Sequence, residues 1–192
     1  MQKYKSSIEN RKQSITGLGA SAEIIPVIVF AQYRIGTTFK PKTQNMLEPF
    51  SDEYFMKQAL NEAQKAFDMG EIPVGAVVVC QNRIVARSHN LTETLNDVTA
   101  HAEMQAITAA ANMLGGKYLI DCTLYVTLEP CLMCAGALGW SQIGRVVYGA
   151  DDEKKGFQKN AEKALHPKTT LLGGIMEAEC STLVKDFFSS KR

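Results

Sequence analysis

His101-Ala102-Glu103 stands thirty positions before Pro130-Cys131-Leu132-Met133-Cys134, and a fold that gives either segment a use has to bring the two together. Alone, each says little. A Cys-x-x-Cys on an amphipathic helix is more often a redox pair, a structural metal site or core than a catalytic centre, and a lone His-x-Glu is nearly uninformative. Together they offer one imidazole and two sulfurs, a donor set that suits tetrahedral zinc, with one carboxylate left over. A zinc site with three protein ligands keeps a fourth position for water, whose pKa there falls to about 7. A redox dithiol has no use for His101 or Glu103. A closed structural site needs a fourth donor, Cys122 or Cys180, and leaves Glu103 idle.

The local sequence predicts how the donors are presented. Pro130 suits the first position of a helix, where a missing N–H costs nothing. Cys131 and Cys134 then fall three residues apart on one face of the first turn, where the helix dipole favours thiolates. His101 also sits where a helix begins after a loop. Two helix N-termini emerging beyond strand ends place three ligands around one point, in the crevice typical of an open α/β sheet. Glu103 does not fully share the face of His101, but near a helix start it can lean towards that point.

The rest of the chain predicts alternating layers. Ser51 is a good N-cap, Asp52 and Glu53 follow in the first turn, and Tyr54, Phe55, Ala59, Ala63, Ala66 and Phe67 give a helical face that Gly70 ends. Val74–Cys80 reads as a strand, Gln81-Asn82 as a tight turn, and Arg83–Ser88 as the hairpin partner. A polar loop, His89–Ala100, leads to an alanine-rich helix from near His101 to Leu114, stopped by Gly115-Gly116. The strand Thr123–Leu128, the helix Cys131–Trp140 and the strand Arg145–Tyr148 predict a right-handed parallel crossover. A short helix near Gln158–Leu165, a strand near Thr169–Leu172 and a helix over Ala178–Phe188 complete an α/β layer structure.

Composition narrows the class. The 192 residues are 45% hydrophobic and 21% charged, ordinary for one globular domain. No apolar run approaches the ~20 residues of a membrane span, and Ile24–Ala31 is interrupted by Pro26. Residues 1–50 hold seven Lys/Arg against three acids, while the remaining 142 hold 14 against 17. That acidic body lacks the broad basic footprint of a nucleic-acid binder, although Lys154, Lys155, Lys159, Lys163 and Lys168 form a local cluster. Five cysteines without framework spacing, and no convincing signal peptide, predict the reducing cytoplasm. Residues 1–50 show no sustained period and are expected to be a poorly ordered extension, or sequence upstream of a start at Met46. The domain proper is expected over 51–192.

At its motif residues the chain resembles the cytidine-deaminase-like superfamily of zinc enzymes, and within it the bacterial tRNA adenosine deaminases. The resemblance runs from about Phe50 to Arg192. Pro73–Val77, Thr99–Glu103, Thr123–Gly136, Ile143–Val147, Gly174–Cys180 and Asp186–Phe188 are similar to that family's blocks. It implies a three-layer α/β/α fold with a central mixed five-stranded sheet. It implies one Zn2+ per subunit held by His101, Cys131 and Cys134, with Glu103 as catalytic proton shuttle and Asn90 contacting the base. It also implies a homodimer, and as partner a tRNA anticodon stem-loop whose wobble adenosine becomes inosine. Two residues depart from the pattern. Trp140 stands where many of these sequences have His, and is similar instead to bacterial guanine deaminases. Val98 replaces the usual Pro before Thr99-Ala100-His101. The alternative they support is a free purine base or nucleoside deaminase, while core or dimer packing is the plainer role for Trp140.

Overall fold

The computed structural model describes residues 48–161 and 163–191. The expectations for an extension over residues 1–50 and a start at Met46 fall almost wholly outside them. Within the described residues the elements are α1 (Asp52–Asp68), β1 (Gly75–Cys80), β2 (Arg83–His89), α2 (Ala102–Leu114), β3 (Cys122–Leu128), α3 (Leu132–Trp140), β4 (Arg145–Ala150), α4 (Phe157–Asn160), β5 (Thr170–Leu172) and α5 (Glu177–Ser190). The strands form one mixed sheet in the order β2-β1-β3-β4-β5. The first three are antiparallel to their neighbours, and β3, β4 and β5 run parallel.

A strand without a polar side chain needs cover on both faces, and Gly75–Cys80 has it. Val77 and Val79 share a core with Phe55, Met56 and Ala59 of α1 and Cys180 of α5. Ala76 and Val78 share the opposite core with Ala102, Ala106 and Ala110 of α2 and Leu138 of α3. The three layers follow directly. Alanine at every contact turn of α2 lets that helix lie close to the sheet. On the other side Gly75 does the same for α1, because a Cβ there would collide with the carbonyl of Ala59 and the amide of Ala63.

Local signals set the element ends. Ser51 accepts the N–H of Tyr54 at 3.1 Å and caps α1. Gln81 and Asn82 have φ of 51° and 58°, the paired left-handed conformation of a two-residue hairpin turn joining Cys80 to Arg83. Gly115 closes α2 with φ 67°.

Three expectations are corrected. Pro130 is not the first residue of α3: Cys131 is the N-cap and Leu132 opens the helix, so Pro130 lies just outside it. The N–H of Phe157 binds the carbonyl of Pro130 at 3.0 Å, and Cys131 bridges Gly156, holding this segment extended. The helix expected over Gln158–Leu165 is only one turn, Phe157–Asn160, since the chain must then cross α3 beside Gly139, where the Ala164 carbonyl packs. Trp140 is 87% exposed and is no part of the core.

One ion pair ties the layers together. Asp52, in the first turn of α1, accepts both Arg145 nitrogens at 2.7 Å and the Tyr125 hydroxyl at 2.8 Å. The Arg145 guanidinium beside Asp52 holds its carboxyl below the usual range despite some burial. Because the folded pKa lies below the unfolded one, this stabilisation is full above the unfolded value of roughly 3.9 and is lost as pH falls through the folded pKa. Asp52→Asn is expected to lower stability by about 1–3 kcal/mol at pH 7. Urea unfolding of both proteins at pH 7 and pH 3 checks it: the gap should shrink in acid.

Candidate metal centre and cleft

Helices α2 and α3 both begin at the same place. His101 caps α2 with φ −68° and ψ 153°, and Cys131 caps α3 with φ −73° and ψ 171°. The His101 side chain makes no capping bond to its own helix, and its ring meets both sulfurs at a shared point. Cys134, three residues into its helix, lies in hydrogen-bond contact with Cys131. His101 Nδ1 lies 3.6 Å from Cys131 Sγ and 3.5 Å from Cys134 Sγ. All three donor atoms lie within 4.8 Å of one another. Tetrahedral zinc with bonds of about 2.3 Å to sulfur and 2.05 Å to nitrogen puts N and S about 3.6 Å apart. The donor set therefore fits zinc in chemistry and in spacing. Cys122 and Cys180 are buried in the two cores instead, so among the described residues no fourth thiol closes the site.

The protons on these groups are unevenly held. A hydrogen bond from Cys134 draws the Cys131 thiol down to about 4, against the effect of burial, with His101 helping. The same bond, with burial, pushes Cys134 up. His101 is raised mainly by its hydrogen bond to Cys131. Glu103 is 4% exposed and lies in hydrogen-bond contact with Cys134. Burial, joined by the Cys131 charge, pushes its carboxyl up to about 7. A carboxyl poised there takes or gives a proton at neutral pH.

These residues line an open cleft of about 1620 Å3. Asn90 lines it too, 5% exposed, with its Nδ2 donating to Glu71 Oε2 at 3.0 Å and to Thr92 Oγ1 at 3.1 Å. The cleft is also lined by Lys154, Lys155, Lys159 and Lys185 of α5, together with the acids Asp151, Asp152, Glu153 and Glu177. Trp140 is not among the lining residues.

Two buried carboxylates escaped the sequence reading. Glu71 receives Asn90, Thr92 and the N–H groups of Glu93 and Thr94. Burial alone would raise its carboxyl, but these donors outweigh it and hold it below the usual range. Glu129 does the same work on the other wall, where Oε2 accepts the N–H of Asp152 at 3.1 Å and Oε1 that of Gln158 at 3.1 Å. Gly156 is required beside it, since a Cβ would strike Glu129 Oε2. Glu129 adjoins Pro130-Cys131, a signal of position, but nothing local in the sequence marks Glu71.

Comparison with known proteins agrees with this geometry. Residues 49–150 match the family described as the cytidine and deoxycytidylate deaminase zinc-binding region. The tRNA-specific adenosine deaminase of Bacillus subtilis (strain 168) is 44% identical over 146 residues, 73% of this chain and 91% of that protein. A solved structure from work on A-to-I editing by tRNA:A34 deaminases at the wobble position of transfer RNA superposes with a TM-score of 0.64 at 42% identity, over 68% of this chain and 98% of that one. A guanine deaminase from Bacillus subtilis superposes at 0.51 and 43% identity, over 53% of this chain and 65% of that one. With the His101, Cys131 and Cys134 donors placed as zinc ligands require, the chain belongs to the cytidine and deoxycytidylate deaminase zinc-binding family and is a zinc-dependent deaminase of it.

Proposed function

We propose that this protein is a tRNA-specific adenosine deaminase, which hydrolyses the wobble adenosine of a tRNA anticodon stem-loop to inosine and ammonia. One observation carries the reading: the His101, Cys131 and Cys134 donors and the buried Glu103 converge in a chain that matches the Bacillus subtilis enzyme over 91% of that enzyme's length. His101, Cys131 and Cys134 would hold a zinc ion, which would supply an activated water, with a pKa of about 7, as nucleophile for C6 of the base. Glu103 would take one water proton and pass it to N1, then carry the remaining proton of that water from the oxygen added at C6 to the departing amine, which leaves as ammonia. Such a positioned carboxyl contributes roughly 10²–10⁴-fold in rate. Asn90 contacts the base. An anticodon-loop nucleotide is already single-stranded, so turning its base into the cleft costs less than extrusion from a duplex. Lys154, Lys155, Lys159 and Lys185 hold phosphates without reading sequence.

A free purine as substrate is the second reading, favoured by the guanine deaminase likeness. It is the weaker one. That match spans about half of this chain, and Trp140 lies outside the cleft. A cleft of about 1620 Å3 also exceeds the ~300–1,000 Å3 of small-molecule pockets.

The deaminase domain is assigned to residues 51–192, supported by a family match that begins at residue 49. No helix among the described residues is long and apolar enough to cross a membrane. A tRNA substrate and unoxidised zinc thiolates suit the cytoplasm. Exposed Leu132, Met133 and Trp140 lie along one side of α3 and support a homodimer built on that helix.

Incubation with a tRNA carrying adenosine at the wobble position, with guanine and with cytidine, followed by chromatography of the nucleosides, is expected to show inosine alone. Xanthine from guanine would replace the proposal with the second reading. Glu103→Gln should retain full zinc yet lose roughly 10²–10⁴-fold in kcat. Zinc binding to metal-free protein should release at least one proton, because Cys134 must ionise, and affinity should fall as pH falls. Calorimetry in two buffers of different ionisation enthalpy counts those protons.

A further inference from the structure

Glu71 belongs to neither motif, and no step of the proposed reaction uses it. Its carboxylate is nevertheless 1% exposed, between α1 and β1, with both oxygens committed. Oε1 accepts the N–H of Thr94 at 2.7 Å. Oε2 accepts the N–H of Glu93 at 3.2 Å, the Thr92 hydroxyl at 3.3 Å and Asn90 Nδ2 at 3.0 Å. An ionised carboxylate only accepts, so it selects one end of the Asn90 amide. Turned over, Asn90 would set its Oδ1 against Glu71 Oε2, two acceptors with no proton between them. Thr92 gives the same answer independently: its hydroxyl spends its proton on Glu71 and can only accept from Asn90. Nδ2 is thus turned inwards, and Asn90 Oδ1 has no protein partner among the described residues, on a side chain that lines the cleft.

We propose that Glu71 is a positioning residue for the deamination: it fixes the amide orientation of Asn90 and, through Asn90, the preference of the cleft for its base. This rests on the reading above, in which Asn90 faces the substrate. The two backbone donors matter as much as the side-chain ones. They pin the carboxylate to the loop that carries Thr92–Thr94, so Glu71 cannot turn to follow a reoriented amide. An outer partner of this kind commonly carries 10–100-fold in function without touching the reacting group (roughly, by analogy with the partners that orient metal ligands).

The test uses four zinc-loaded proteins: wild type, Glu71→Gln, Asn90→Ala and the double variant. Each is assayed on an anticodon stem-loop with adenosine or cytidine at the wobble position. Glu71→Gln keeps the volume but puts an amide where only acceptors fit. It is expected to lower kcat/KM for adenosine roughly 10–100-fold and to narrow the adenosine–cytidine preference, with zinc content unchanged. In the Asn90→Ala background the same substitution should have no further effect on either quantity. Equal losses in both backgrounds would mean that Glu71 acts on stability alone and would overturn the proposal. Should Glu71→Gln lose its cooperative thermal transition, Thr92→Val takes its place in the cycle with the same expectation. A readout independent of turnover is proton exchange of the Asn90 side-chain amide by NMR, slow in wild type and fast in Glu71→Gln; equal rates overturn the proposal. If wild type acts on guanine and on neither stem-loop, the tRNA reading fails, and the cycle repeated on guanine still tests Glu71.

Discussion

Two helices must start at one point for this chain to bind its metal, and that requirement organises the rest. A helix start exposes unpaired N–H groups and the positive end of the dipole, which favour anionic sulfur. The residue just before each helix keeps an extended backbone, so its side chain can be aimed away from the helix axis. His101 and Cys131 both occupy that position, and Cys134 completes the set from within the first turn. None of this survives unless the two helices are held in register, and the sheet does that. α2 is fixed by its alanine face on β1 and β2, while α3 is fixed by its place in the crossover between β3 and β4.

The walls of the cleft are set by a different physics. Burying a carboxylate is costly unless its oxygens are satisfied, and here the satisfying groups are mostly backbone N–H groups of loops. Glu71 gathers the loop after β2, and Glu129 gathers the loop after β4. Loops tied in this way are held in place without themselves being packed into a core. The arrangement also divides labour. Glu103 is buried without comparable backbone donors, so burial lifts its carboxyl towards neutrality, whereas Glu71, amply supplied with them, stays ionised. Two solvent-shielded carboxyls are thus held differently, one lifted towards neutrality and one kept as an ionised acceptor.

The same distinction explains what could be read from sequence. The zinc donors were legible because a ligand pair three residues apart on a helix start is a local pattern, and because His101 repeats the logic at the second helix. Ser51, Gln81-Asn82 and Gly115 were legible for the same reason, each acting within a few residues of itself. Glu71 and Glu129 act on partners 19 to 29 residues away, and an isolated Glu in a loop has no periodicity to betray it. The displaced N-cap at Cys131 has a similar origin. Proline tolerance favoured Pro130 inside the helix, but the tertiary bridge from Cys131 to Gly156 keeps that segment extended. The shortened α4 shows helix-forming residues overruled by the path the chain must take to β5.

Charge is the feature that most opposes a nucleic-acid substrate, but a count over the whole chain does not describe the cleft. On the proposed reading a flipped nucleotide would meet the cleft lining, where Lys154, Lys155, Lys159 and Lys185 stand with Asp151, Asp152, Glu153 and Glu177. Alternating signs of this kind give a small number of phosphate contacts and therefore a shallow salt dependence, about 0.7 per neutralised phosphate on a single strand. Affinity built that way is modest and carries little sequence information. On that reading selection comes from within the cleft, from the fit of one base against Asn90 and the metal centre. A chain with few basic contacts can afford no ambiguity there, which is the physical reason to expect the Asn90 amide to be locked by a buried carboxylate rather than left to rotate.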